Sequence, residues 1–188
     1  MKGAGKVEAA ATRATEGRFD GSGGPRIIGP GDGKLVDLQS VGVRFMAWTG
    51  ETGGGFSLVE HPIPPRTLVA PMHKHSREDE YSYVIQGRMG AQLGEDTVYG
   101  EVGDFVFKPR EQWHTFWNPD EQPCRILEII SPGGFEGFFD ELGAAMASPD
   151  DPSQLAELGG RYGVEFDPES LPRLCQEHGL THPLLEQD

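Results

Sequence analysis

Between Lys34 and Ile130 almost every apolar run is short and stops at a glycine, a proline or an acidic turn. Leu35, Val36 and Leu38 make one run, Val41–Trp48 a second, Phe56–Glu60 a third and Tyr81–Ile85 a fourth. Phe105–Phe107 begins after Gly103-Asp104 and ends before Pro109, Trp113–Trp117 follows, and Arg125–Ile130 is the last long run. Turn-bounded runs of this length are strands, and helical periodicity is almost absent from them. The 27 glycines and 15 prolines reinforce the bias against a helical bundle. The predicted fold is all-β, a small double-stranded β-helix (jelly-roll) barrel, with short helices only at the C-terminal end.

The flanks differ from this centre. Residues 1–33 are rich in glycine, alanine and charge, with Gly21-Ser22-Gly23-Gly24-Pro25 in their middle, and read as a flexible leader. The barrel is expected over 34–132 and a helical extension packed on it over 133–188. Phe135, Phe138, Phe139 and Leu142 fall at i, i+3, i+4 and i+7, one face of a helix. Asp151-Pro152 has the form of an N-cap followed by a first-turn proline. Leu155 and Leu158 continue that helix until Gly159-Gly160 stops it, Tyr162–Phe166 links onward, and a last helical stretch holds Leu171, Leu174 and Cys175 up to Gly179. The phenylalanine stripe is expected to pack on the outside of the barrel; a lid over its mouth is the alternative.

Charge and cysteine usage exclude several classes. A formal net charge of −14 opposes a sequence-independent grip on nucleic-acid phosphates or on an anionic membrane. No apolar run approaches membrane-spanning length. Cys124 and Cys175 lack any zinc-ribbon or Cys-x-x-Cys spacing and are expected as buried free thiols. A cytoplasmic protein with no nucleic-acid or membrane partner is the resulting expectation.

Three of the six histidines stand out. His73 and His75 are two apart, so on a strand both imidazoles point to one face. Glu80 follows a polar turn and opens the Tyr81–Ile85 run, and His114 sits in the Trp113–Trp117 run. Three neutral imidazoles and one carboxylate suit a divalent transition metal. The set accepts iron, manganese, nickel, cobalt, copper or zinc. Ser82 and Phe116 lie two residues from Glu80 and His114, so each shares its ligand's face. Both are candidates to line a substrate pocket, with ordinary interior filling equally open. His61, His178 and His182 have no partner at ligand spacing and read as surface residues.

The spacing resembles the cupins. Their first motif runs Gly, five residues, His-x-His, three or four residues, Glu, six residues, Gly; His73, His75, Glu80 and Gly87 match it, with Thr67 in place of the first glycine. Their second runs Gly, five residues, Pro-x-Gly, two residues, His, three residues, Asn; Gly103, Pro109, His114 and Asn118 match it, with Glu111 in place of the inner glycine. A single barrel followed by the Pro132–Gly143 segment looks like the bacterial monocupins grouped with quercetin 2,3-dioxygenases.

That resemblance implies a metal-dependent dioxygenase, an oxidoreductase that cleaves or oxidises an enolic or aromatic small molecule with dioxygen. Glu80 would take the substrate's hydroxyl proton. A metal-dependent isomerase, cyclase or lyase of secondary metabolism is a second reading, and a non-catalytic metal or small-molecule binder a third. Trp48, Trp113 and Trp117, with the C-terminal helices, are expected to expose apolar surface, and cupins commonly pair, so a homodimer is expected.

Overall fold

The computed structural model describes residues 25–146 and 153–186. Most of the predicted leader and the Asp151-Pro152 helix start lie outside them. Among the described residues ten strands run in sequence before helix α1: β1 Leu35–Asp37, β2 Gly42–Ala47, β3 Ser57–Ile63, β4 Met72–His75, β5 Asp79–Gln86, β6 Arg88–Leu93, β7 Asp96–Glu101, β8 Phe105–Lys108, β9 His114–Trp117 and β10 Cys124–Ser131. Helices α1 Glu136–Met146 and α2 Ser153–Tyr162 follow, then β11 Val164–Asp167 and α3 Ser170–His178.

The strands form two antiparallel sheets. One has six strands in the order β1-β2-β3-β10-β5-β8, the other five in the order β11-β4-β9-β6-β7. Period-two alternation sorts the residues between faces. Along β10, Cys124, Ile126, Glu128 and Ile130 are buried, and along β3 so are Val59, His61 and Ile63. The apolar residues among these, with Val43, Phe45, Val84, Met89 and Phe116, belong to the main core between the sheets. A second cluster of Leu68, Met72, Trp117, Leu171, Leu174 and Leu180 packs α3 on the outer side of β4 and β9, and all four residues of β9 are buried.

The ladders leave β1 and β8 at the edges of one sheet, β11 and β7 at the edges of the other. The architecture is therefore an open two-sheet sandwich, where the sequence predicts a closed barrel. The C-terminal helices span part of the opening: α1 contacts β1, α2 contacts β11, and the two helices contact each other.

Three local expectations are corrected. The Tyr162–Phe166 linker contains strand β11, which pairs with β4 so that Val164 faces His75 and Phe166 faces His73 in the register. Gly159-Gly160 does not stop α2, which continues to Tyr162. A Cβ on Gly159 would sit 3.1 Å from the Val164 carbonyl, so this glycine serves a close approach to β11. Gly163, at φ +71°, ends the helix instead. The phenylalanine stripe does not lie outside the sandwich, because Phe135 and Phe138 belong to the main core.

Candidate metal centre

The backbone register brings the predicted donors together. His73 on β4 is the direct partner of His114 on β9, and His75 follows on the same face of β4. These imidazoles belong to the five-stranded sheet, whereas Glu80 projects from β5 of the other. One donor atom from each of His73, His75, Glu80 and His114 lies within 4.8 Å of the others, and all four residues are buried.

Hydrogen bonds fix two of the ring tautomers. His73 Nδ1 lies 2.9 Å from the Pro71 carbonyl oxygen and His114 Nδ1 2.9 Å from that of Gln112. A carbonyl only accepts, so each Nδ1 carries the proton and each neutral ring keeps a lone pair on Nε2. His114 Nε2 then meets Glu80 Oε2 at 3.2 Å, acceptor against acceptor. His75 Nε2 is 3.3 Å from Glu80 Oε1, and among the described residues neither nitrogen of His75 has a hydrogen-bond partner. Buried acceptors left facing one another are costly unless a cation sits among them. The donor set therefore fits a divalent metal ion.

The electrostatics agree with metal-ready donors. Burial, reinforced by the His114 and His75 rings, holds His73 well below the usual imidazole range. Burial also lowers His114, against the pull of Glu80. For Glu80 burial works upward, but Lys108 and the imidazole contacts outweigh it and keep the carboxylate well below its usual range.

Lys108, Glu128 and Glu78 complete the surroundings, and the sequence reading gave none of them a role at the centre. The Lys108 ammonium is wholly buried and lies 2.9 Å from Glu80 Oε2 and 3.0 Å from Glu128 Oε2. Ser82, predicted to line a pocket, donates from Oγ to Glu128 Oε2 at 2.9 Å. Burial pushes Glu128 up to about 7. Phe116, the other predicted lining residue, has the Lys108 Nζ 4.5 Å from its ring centre. Alternation was the available signal: Glu128 falls between the inward Ile126 and Ile130, and Lys108 is two residues from Val106. Glu78, which sits in the polar turn before β5, is buried, and its Oε2 is 3.9 Å from His75 Nδ1. Burial pushes this carboxyl up as well.

The other histidines do not stand on the surface as expected. His61 is buried on the inner face of β3, with Nδ1 3.0 Å from the Gly42 carbonyl. His182 is buried too, and the His178 ring stacks on Trp117 at 4.4 Å.

Aromatic rings cover the centre. Phe135 meets His75 edge-on at 4.4 Å between ring centres and Phe166 lies 5.7 Å from His73, with Phe138 4.9 Å from Phe135. The turns before and after the donors are held by backbone. Glu111 adopts φ +63°, the conformation for which the motif uses glycine, and its N–H donates to the His75 carbonyl at 2.7 Å. Asn118 donates to the carbonyls of Ile63 and Gln122 at 3.2 and 2.8 Å, a clamp on the following loop.

Both cysteines are free and buried, and burial raises the Cys124 thiol to about 12. Among the described residues no helix is long and apolar enough to cross a membrane.

Comparison with solved structures finds KdgF from Halomonas sp., at 19% identity and TM-score 0.49 over 55% of this chain and 90% of that one. A predicted oxalate decarboxylase from Thermotoga maritima gives 18% identity and TM-score 0.48 over 53% and 90%. A sugar phosphate isomerase of the cupin superfamily from Silicibacter pomeroyi gives 19% and 0.44 over 50% and 60%. Comparison with curated proteins gives no match. The cupin domain family (Cupin_2) matches residues 60–130, the stretch from β3 to β10 that carries all four donors. Residues 60–130 thus carry the match to a cupin domain.

Proposed function

We propose that the protein is a metal-dependent dioxygenase of the quercetinase-like kind, acting on an enolic or aromatic small molecule at His73, His75, Glu80 and His114. The observation that carries the reading is the set of buried, mutually facing acceptors within 4.8 Å. A bound divalent ion supplies Lewis acidity toward a substrate hydroxyl or carbonyl oxygen and an open position beside it.

The chain's own residues do the rest. His73 and His114 are held by carbonyls through Nδ1, which leaves Nε2 of each as a donor, and His75 supplies the third ring. Lys108 keeps Glu80 ionised, so at neutral pH this carboxylate is in the form that accepts the substrate's hydroxyl proton. Phe135, Phe138 and Phe166 pack together beside His75 and His73 and exclude water from the centre.

A homodimer belongs to the same proposal, but on a different surface from the one expected. Trp117 is fully buried, whereas Tyr83, Phe105, Phe107 and Ile129 are exposed on the outer face near edge strand β8. That aromatic face supports pairing with a second copy of the chain.

Oxygen uptake with a panel of enols, on protein whose metal is identified by elemental analysis, tests the function. Uptake is expected with the parent, and His114→Ala should lose metal and uptake together. Glu80→Gln should retain part of its metal yet lose about a hundredfold or more in turnover. Turnover without oxygen consumption would replace the dioxygenase by an isomerase or lyase, and a metal-loaded protein inert to the whole panel would favour a binding module.

A further inference from the structure

We propose that Lys108 is a positioning residue for the metal centre: its ammonium fixes the Glu80 carboxylate toward the three imidazoles, and Glu128, tied to Ser82, fixes the ammonium. The inference rests on the reading of His73, His75, Glu80 and His114 as metal donors.

The hold is built into the strand register. Lys108 on β8 is the direct partner of Glu80 on β5, and Ser82, two residues on, is the direct partner of Glu128 on β10. Both pairs point inward, so three adjacent strands deliver one connected chain from Ser82 Oγ through Glu128 and Lys108 to Glu80. Its links are 2.9, 3.0 and 2.9 Å long. Lys108 is wholly buried, and the Phe116 ring lies 4.5 Å from Nζ. An ammonium has three donors, and two are committed to carboxylates.

Charge compensation alone does not account for the arrangement. One carboxylate neutralises one ammonium, whereas here two converge on Lys108. With both ionised, the buried group keeps one negative charge, which an apolar interior tolerates poorly without a further cation. Second carboxylates behind metal ligands orient them, and their loss typically weakens metal binding by about 10–100-fold. Here the same part is played by an ammonium behind a ligating carboxylate.

The test separates orientation from compensation. Lys108→Met leaves two buried carboxylates unpaired and should lower the unfolding temperature steeply. Measured well above pH 7, where Glu128 is ionised, the double variant Lys108→Met/Glu128→Gln removes one positive and one negative charge, so the total is that of the parent, but no ammonium holds Glu80. It should unfold near the parent's temperature in the absence of metal. In a Co2+ titration against a competing chelator it should bind at least about tenfold more weakly, with altered ligand-field absorption bands. Parent affinity and parent bands in the double variant would overturn the positioning role while leaving the metal donors intact. Should the double variant not fold, Zn2+ is added to parent protein labelled with 15N-lysine. The slowly exchanging ammonium resonance of Lys108 should shift on binding, and a resonance that stays in place overturns the proposal. A parent protein that binds neither Co2+ nor Zn2+ overturns the donor reading and this role with it.

Discussion

His61 gives a quantitative handle on the interior that does not depend on metal. The ring is 2% exposed, its Nδ1 donates to the Gly42 carbonyl at 3.0 Å, and Phe116 and Phe139 flank it at 6.0 and 5.5 Å between ring centres. Burial pushes its pKa from 6.5 down to about 4, with the Gly42 hydrogen bond opposing. The unfolded chain therefore binds a proton near pH 6.5 that the folded chain refuses until about pH 4. Above pH 6.5 both states are neutral and the full stability is present. As pH falls through that window, stability is lost at about 1.4 kcal/mol per pH unit, about 3 kcal/mol in all. His73, His114 and His182 are lowered too and act with the same sign, so a variant is needed to isolate His61. His61→Asn places an amide N–H where Nδ1 donates and cannot titrate. Urea unfolding of metal-free parent and variant at pH 7, 6, 5 and 4 is the assay. The variant should be less stable at pH 7, by about 1–3 kcal/mol for the lost ring packing. That deficit should shrink by about 3 kcal/mol at pH 4 and close or reverse. Stability curves that stay parallel from pH 7 to 4 would refute the reasoning, because His61 would then titrate as it does in the unfolded chain.

Two further substitutions follow from the geometry. Phe135→Ala removes a ring that is 2% exposed and packed on His75, Phe138 and Phe139; it should cost about 3–5 kcal/mol in urea unfolding and speed metal removal by a chelator, and a cost under about 1 kcal/mol would show that the ring is not part of the core. Glu111→Gly relieves a non-glycine residue at φ +63° and should leave stability unchanged or raise it by about 0.5–1 kcal/mol, whereas a loss of more than about 1 kcal/mol would place the turn in another conformation.

The convergence of His73, His75, Glu80 and His114 was legible because strand alternation is a simple rule and the four obey it in two segments. What the strands do with charge was not. In β8 the aromatic Phe105 and Phe107 look like interior residues but face outward at 58% and 47% exposed, while Lys108 turns inward at 0%. Hydrophobicity assigns such a strand to the wrong face. The partner across the ladder decides it, since Glu80 and Lys108 are one registered pair. His61 was misjudged for a related reason, because a proline neighbour suggests the surface. β11 is four residues with two acidic members, too short and too polar for its pattern to register. Its role beside β4 comes wholly from tertiary pairing.

The division of donors between the two sheets bears on how the site and the fold depend on each other. Three imidazoles come from β4 and β9, and the carboxylate comes from β5 of the opposite sheet. Stacked sheets ordinarily meet only through side-chain packing across about 10 Å. A cation bound by both sheets adds a direct link between them, and the unfolded chain cannot offer the same four donors at once. Binding of a metal by these four residues would then also be folding energy, holding the faces of an unclosed sandwich in register. Lys108 and Glu128 face inward from two strands flanking β5, so they brace the carboxylate donor within its own sheet. The imidazole side has the matching brace in β11, paired along β4 opposite both His73 and His75. Each half of the donor set is thus held inside its sheet before an ion joins them, which is the preorganisation a selective metal site requires.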